Sequence, residues 1–177
     1  MKTSEERLRL ALDATSEAIF DWDLEANNYF FSSKLFLILN YLPEEFNLNF
    51  EKFIKLIHPD DLKLVNDIIN DYKKLERDSH EVIFRLFSKN YDWRWILWKG
   101  KLIKDKNSSF SKRIVGTFAD FTERIHLEEN LKKRNRALRI ISEINSVIIS
   151  TENEALLLNK ICNIIKDIGG YPFIWFG

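Results

Sequence analysis

Five short stretches of the chain are rich in apolar side chains, chiefly β-branched and aromatic ones, which favour half-buried β-strands. Two stretches lie near the N-terminus, at residues 18–24 and 29–32, separated by a short turn. Three lie further along the chain, at 81–87, 93–103 and 114–119. Because the strands within each group follow one another through short polar segments, we expect hairpins and antiparallel pairing.

Between the two groups of strands, apolar residues recur at helical spacing. Short helices are predicted at 34–41 and 50–57, and a longer helix begins at His58-Pro-Asp-Asp61, where proline and acidic residues suit a first turn. A capping box predicts a further helix at 4–15. The pattern as a whole predicts an α+β fold, with a five-stranded antiparallel sheet, short helices on one face and a long C-terminal helix.

The last predicted strand runs directly into a helix at Asp120-Phe-Thr122. Asp120 is a favourable helix N-cap, and Glu123, three residues later, completes a capping-box pattern. A strand that continues into a helix can carry a change in the sheet to a partner. We therefore take Asp120, Thr122 and Glu123 as a candidate signal junction.

The helix after Thr122 carries residues that alternate by four and three positions, which is heptad spacing. The residues are Leu127, Leu131, Arg134, Leu138, Ile141, Asn145 and Ile148. A single exposed helix of this length, about 40 Å, gains little stability alone, so a partner helix is expected. We expect a homodimer formed through the N-terminal and C-terminal helices.

The end of the chain has a different organisation. Ser150-Thr-Glu-Asn153 predicts a break and a new helix cap, and an apolar-striped helix follows at 155–165. Gly169-Gly170 ends that helix, and Tyr171–Phe176 reads as a strand. Such an apolar strand at a terminus is expected to be the first strand of a further domain.

The composition is that of a soluble globular protein, with 45% apolar and 31% charged residues among 177. Lys+Arg and Asp+Glu are 27 each, so no net field favours nucleic acid or an anionic membrane. Cys162 is the single cysteine, which fits a reducing compartment. No signal peptide or membrane span is legible, and we expect a cytoplasmic segment without membrane contact.

The order of these elements and four short motifs resemble a PAS domain with its C-terminal PAC segment, over residues 5–124. The motifs are Phe20-Asp-Trp-Asp-Leu24, His58-Pro-Asp-Asp61, Trp93-Arg-Trp-Ile96 and Gly116–Arg124. The last resembles the family's Asp-Ile-Thr signature, with phenylalanine in the isoleucine place. In one hairpin turn the chain has Asn90-Tyr91 where the family commonly has Asp-Gly, and Asn90 is the residue expected to take a positive φ.

Residues 140–177 resemble the opening helix and first strand of a GAF domain. The two resemblances divide the chain into a helical cap at 1–15, a PAS/PAC domain at 16–121, a signalling helix at 122–149 and the start of a GAF domain at 150–177. Such modules usually precede a histidine kinase or a cyclic-dinucleotide enzyme. The resemblance therefore implies a non-catalytic sensory segment with an output domain downstream in the same chain.

The aromatic residues of the strands raise the question of a ligand. Phe84 and Leu86 share one face of their strand, and Trp93, Trp95 and Leu97 share one face of the next. The candidate pocket residues are Phe20, Trp22, Phe53, Ile57, Val65, Ile68, Phe84, Leu86 and Trp95. The family binds haem, flavin or small metabolites in such a place, and the ligand here is unknown. The alternative is a solid aromatic core without a ligand.

Other reactive side chains give no catalytic constellation. His58 precedes a proline and fits a capping or packing role, and His80 at a strand start is expected to be solvated. His126 is followed by Leu127 without a nearby proline, unlike a kinase phosphoacceptor. Cys162 lies outside the sensory domain, which excludes flavin–cysteine photochemistry, and no metal-ligand cluster is present.

Two functions stay open at this point. One is a sensory module that transmits a ligand- or partner-induced shift through the junction. The other is a ligand-free module that serves for dimerisation and spacing.

Overall fold

The computed structural model describes residues 3, 10, 14–26, 28–42, 48–104 and 112–169. Its chain divides into two units, Met1–Glu123 and Arg124–Gly177, each taken separately below. The predicted helix at 4–15 lies almost entirely outside the described residues, and the predicted strand at 171–176 lies entirely outside them. Both stay predictions.

Alternating apolar residues produce one five-stranded antiparallel sheet in the described part of the first unit. Its strands are β1 (Ala18–Asp23), β2 (Asn28–Phe31), β3 (Ser79–Phe87), β4 (Trp93–Lys104) and β5 (Lys112–Asp120). Their order across the sheet is β2-β1-β5-β4-β3. The final strand thus lies in the centre, where it joins the N-terminal hairpin to the C-terminal one. The predicted fold class is confirmed.

Short helices lie between β2 and β3, as the sequence predicts. They are α1 (Ser33–Ile38), α2 (Phe50–Leu56) and α3 (Leu62–Lys74), and a 3-10 turn at Pro59–Asp61 precedes α3. The side chain of Asn49 accepts the Lys52 N–H and caps α2. Leu75, with φ of 62°, ends α3 in the left-handed conformation.

The core lies between the helices and the inner face of the sheet. It is rich in aromatic residues from every strand, and α3 contributes a buried stripe at helical spacing. The larger buried residues include Phe20, Trp22, Leu35, Phe53, Val65, Ile69, Tyr72, Phe84, Leu86, Ile96, Trp98, Ile114 and Phe118. Seven of these thirteen residues are aromatic, and large rings bury much apolar area each, so they contribute strongly to hydrophobic stabilisation.

Two glycines on neighbouring strands make room for this packing. Gly100 and Gly116 are cross-strand partners on β4 and β5. A Cβ on Gly116 would lie 1.9 Å from the Lys99 carbonyl oxygen, and one on Gly100 would lie 2.3 Å from Cε1 of His80. A larger side chain at Gly116 would therefore overlap the main chain, whereas one at Gly100 would require the His80 ring to shift.

The β3–β4 turn differs from the prediction, because Tyr91 and not Asn90 adopts the positive φ, at 62°. The Tyr91 N–H donates to the Ser88 carbonyl, and the Ser88 N–H donates to the Asp92 carbonyl. This is a three-residue hairpin loop, in which a turn is followed by one left-handed residue. The third loop residue therefore carries the unusual φ, and the second does not.

The second unit consists of most of α4 (Thr122–Ser150) and of α5 (Glu154–Asp167). The Asn153 side chain accepts the Leu156 N–H, which confirms the predicted break and new cap. The Arg136 guanidinium donates to the Ile168 carbonyl at 2.6 Å, which satisfies a main-chain acceptor at the end of α5.

Candidate functional site

Eight of the nine predicted pocket residues lie in the inner-face core. Each is at most 4% exposed, and together they belong to one cluster of buried residues. The eight are Phe20, Trp22, Phe53, Ile57, Val65, Ile68, Phe84 and Leu86. Their placement agrees with the sequence, while their contact with a ligand stays a prediction.

Trp95 is the exception, because its side chain lies on the opposite face of the sheet. Phe84 pairs with Ile96 across β3 and β4, and cross-strand partners project on the same side. The buried inner residues of β4 are therefore Ile96, Trp98 and Leu102, and the prediction for Trp95 is wrong. Both alternating sets of β4 contain tryptophan, so the sequence pattern does not distinguish its two faces.

A small cavity lies in the core. Its volume is about 20 Å³, and roughly 10–15 Å³ of such space is needed for one water molecule. Its lining is apolar and comes chiefly from Phe20, Trp22, Tyr29, Phe31, Phe50, Phe53, Ile69, Trp98 and Phe118. In this conformation, aromatic rings fill the place where a ligand was expected.

Stacked rings explain why the cavity is small. Trp22, Tyr29 and Phe50 stack with centroid distances of 4.7–5.3 Å. Phe118 contacts Phe20 at 5.0 Å and Phe53 at 5.7 Å. The candidate list omitted six apolar residues that line the cavity: Tyr29, Phe31, Phe50, Ile69, Trp98 and Phe118. Tyr29 and Phe31 lie on one face of β2, so the period of that strand links them.

His80 is buried, contrary to the expectation of a solvated residue. It is 8% exposed, and its ring lies 4.0 Å from that of Trp98. The hydroxyl of Tyr72 lies 2.6 Å from His80 Nδ1 and donates to the Gly100 carbonyl at 3.1 Å, so Nδ1–H donates to the hydroxyl. Burial lowers the pKa of His80 to about 4 and raises that of Tyr72 to about 12. This edge of the core is therefore neutral near pH 7.

The junction between β5 and α4 is fixed by hydrogen bonds to β4. The Trp95 N–H donates to the Thr122 hydroxyl at 2.9 Å, and the Phe121 N–H donates to the Trp95 carbonyl at 2.8 Å. Asp120 accepts the Thr122 N–H at 2.8 Å and lies 3.6 Å from the Arg94 guanidinium. The start of α4 is thus attached to the sheet through one residue of β4.

These contacts correct the predicted capping box. The helix begins at Thr122, and Asp120 is the last residue of β5. Its carboxylate takes the N–H two residues ahead, as in an Asx turn, and not the one three residues ahead. Glu123 is exposed and makes no hydrogen bond or ion pair with the part of the chain that the structure describes.

A polar cluster on the outer face lies at the start of α3. His58 Nδ1 lies 3.2 Å from the Asp60 N–H, and its ring packs against Trp93 at 4.4 Å, which agrees with the expected capping and packing role. Arg85 donates to both carboxylate oxygens of Asp61 at 2.9 Å. This two-pronged hydrogen bond lowers the pKa of Asp61.

The described residues hold no cluster of three or more metal-ligating side chains. None of the helices in that part of the chain is long and apolar enough to cross a membrane.

A family model described as the PAS fold matches residues 28–118, just over half of the chain. The chain belongs to the PAS fold family. This PAS domain is similar to a sensory box histidine kinase/response regulator from Burkholderia thailandensis, with 27% identity and a TM-score of 0.60 over 76% of this chain and 98% of that one.

Two further solved structures share the fold at lower identity. The N-terminal domain of a diguanylate cyclase with PAS/PAC sensor from Marinobacter aquaeolei is 14% identical, with a TM-score of 0.53, and covers 62% of this chain and 99% of that one. An RNA-binding light-oxygen-voltage receptor is 18% identical, with a TM-score of 0.56, and the match covers 77% of this chain and 36% of the receptor chain. No curated protein matches the sequence. The family match ends at Phe118, so the GAF resemblance of residues 140–177 stays a prediction.

Proposed function

We propose that this chain is the sensory segment of a multidomain signalling protein, in which a change in the PAS core reaches an output domain through α4. The observation that carries the proposal is the attachment of the first turn of α4 to β4 by two main-chain hydrogen bonds of Trp95. The similarity to a histidine kinase sensor supports the same role.

The mechanism follows from the central position of β5. Phe118 is buried against Phe20, Phe53 and Trp98, and Asp120 and Thr122 follow it directly. Repacking of the rings displaces Phe118, and the displacement continues along β5 into the helix. A ligand or partner drives this change only if it binds the two arrangements with different affinity. The ligand is a small apolar molecule that enlarges the cavity by moving rings, and its identity is unknown.

The segment itself is non-catalytic under this proposal, and a histidine kinase or cyclic-dinucleotide enzyme follows in the same chain.

We further propose a cytoplasmic homodimer formed through the N-terminal helix and α4. Apolar residues at heptad spacing on α4 are 50–63% exposed: Leu127, Leu131, Leu138, Ile141 and Ile148. A second copy of α4 would cover this stripe. Light scattering at tens of micromolar should show a dimer, and Leu138→Lys should dissociate it, whereas a monomeric wild-type protein would exclude this part.

The decisive experiment measures output in the full-length protein. Asp120→Ala and Thr122→Ala should abolish the response to stimulus while near- and far-UV circular dichroism stay unchanged. Glu81→Ala is the matched control, because it removes an exposed ion pair with Lys99 from the same sheet without touching the junction. Wild-type responses from both junction variants would refute the proposal.

The second candidate is a ligand-free spacer and dimerisation module. The filled aromatic core, with its cavity of about 20 Å³, favours it. Native mass spectrometry and an absorption spectrum of freshly purified protein separate the two candidates. A stoichiometric co-purifying ligand excludes the spacer, and its absence in protein from several expression hosts favours it.

A further inference from the structure

Arg85 on β3 and Trp95 on β4 lie directly opposite each other, yet their main chains do not bond to one another. In an antiparallel sheet, the N–H and C=O of one residue point to the same side, so pairs alternate between bonded and non-bonded. Both main-chain groups of Trp95 point toward the junction, to Thr122 and Phe121. Arg85 and Trp95 therefore form a non-bonded pair, the type in which side chains approach most closely.

The main-chain groups of Arg85 point the other way, toward the start of α3. Its carbonyl accepts the His58 N–H at 3.0 Å, and its N–H donates to Asp61 Oδ2 at 2.9 Å. The pair is thus bonded on one side to the residues that begin α3 and on the other side to the residues that begin α4. Two helix N-termini are connected across a width of only two strands.

Side chains close the gap between the two residues. The Arg85 guanidinium carbon lies 5.1 Å from the centre of the Trp95 indole, within the range of a cation–π contact. The same guanidinium is held by both carboxylate oxygens of Asp61, and the two side chains are only 22% and 16% exposed. This partial burial and two-pronged geometry make the contact stronger than an ordinary surface ion pair.

We infer that the Asp61–Arg85–Trp95 strap couples the start of α3 to the start of α4, and that Asp61 and Trp95 are positioning residues for the first turn of α4. The strap is defined by these three residues and runs along the outer face of the sheet. Its role in signalling rests on the proposed function: Ile69 of α3 lines the cavity, so repacking there would also displace α3.

The strap thus supplies a second route to α4 that is separate from β5. Along β5, movement passes from Phe118 through the main chain of one strand. Along the strap, it passes from α3 through side chains to the hydrogen bonds that hold Thr122 and Phe121. Coupling of this kind is shown only when a change at one end alters the equilibrium at the other.

Hydrogen exchange of the amides of Trp95 and Phe121, in the 177-residue chain, tests this coupling directly. Asp61→Asn and Trp95→Leu should each accelerate exchange at both amides, on the order of tenfold relative to the amide of buried Phe84. Trp95→Leu changes only the side chain and keeps the carbonyl that accepts the Phe121 N–H. Faster exchange at Phe121 must therefore come from a change in how the main chain of residue 95 is positioned.

Asp71→Asn is the matched control. Asp71 lies within α3, toward the end opposite Asp61, and it also receives two hydrogen bonds from one arginine, Arg77. It should leave exchange at Trp95 and Phe121 unchanged. Equal acceleration by Asp61→Asn and Asp71→Asn, or no acceleration by Asp61→Asn, would overturn the strap.

The double variant gives a second criterion. If Asp61 and Trp95 act through one strap, Asp61→Asn combined with Trp95→Leu accelerates exchange no more than the larger single change, whereas independent effects multiply. These measurements need no output domain. A failure of the strap therefore shows in exchange alone, and a failure of the proposed function shows in the response of the junction variants.

Discussion

The two faces of the sheet are held by different kinds of interaction. The inner face is closely packed, with aromatic rings beside two glycines, and a methyl group added at either glycine would overlap neighbouring atoms. The outer face carries ion pairs and a cation–π contact that are partly open to water. Substitutions on the inner face should therefore affect global stability, while those of the charged residues on the outer face should change local positioning with little global cost.

Gly116→Ala should have the largest effect. The new Cβ would lie 1.9 Å from a main-chain oxygen of β4, which cannot move without separating two central strands. We expect a loss of more than about 3 kcal/mol in the free energy of unfolding, measured by urea denaturation. A loss below about 0.5 kcal/mol, the usual range of surface substitutions, would show that the central strands are not tightly apposed.

The burial of His80 makes the inner face sensitive to acid. Its pKa of about 4 in the folded protein lies below the ordinary value of 6.5, so the unfolded chain takes up its proton first as the pH falls. Stability should therefore decrease between pH 6.5 and about pH 4, by up to about 3 kcal/mol at 1.36 kcal/mol per pKa unit. Urea unfolding midpoints measured across this pH range, for the wild type and for His80→Gln, isolate the contribution of His80. If the midpoints of the two proteins fall in parallel as the pH decreases, His80 is not the cause.

Gly100→Ala should have a smaller effect than Gly116→Ala, because the nearest atom belongs to a side chain. The Cβ would lie 2.3 Å from Cε1 of His80, and we expect a loss of about 2 kcal/mol. In a His80→Ala background, the same substitution should cost about 1 kcal/mol less, since the obstructing ring is gone. The cost of Gly116→Ala should not change in that background.

Glu81→Ala on the outer face should have the smallest effect. Glu81 pairs with Lys99 at 3.2 Å, and both side chains are about half exposed or more, at 63% and 47%. We expect a change in the free energy of unfolding within about 0.5 kcal/mol. A larger loss would show that the outer face also contributes to global stability.

Periodic patterns allowed most of the fold to be predicted. The five strands and the helices of the PAS domain lie within a few residues of their predicted positions, because each buries one face at the period of its own geometry. Eight candidate core residues followed from the same periodicity. The turn at Tyr91 could not be predicted, since three-residue and two-residue loops place the left-handed residue differently.

The sequence by itself determined the order of elements, the α+β class and the change from strand to helix at Asp120–Thr122. Only the tertiary structure decided which face of β4 points inward, because both alternating sets of residues along the strand contain large apolar side chains. Register with β3 placed Ile96 and Trp98 in the core and Trp95 outside. That same register placed Arg85 opposite Trp95 in one hairpin, because the three-residue loop after Ser88 fixes which residues of β3 and β4 face each other.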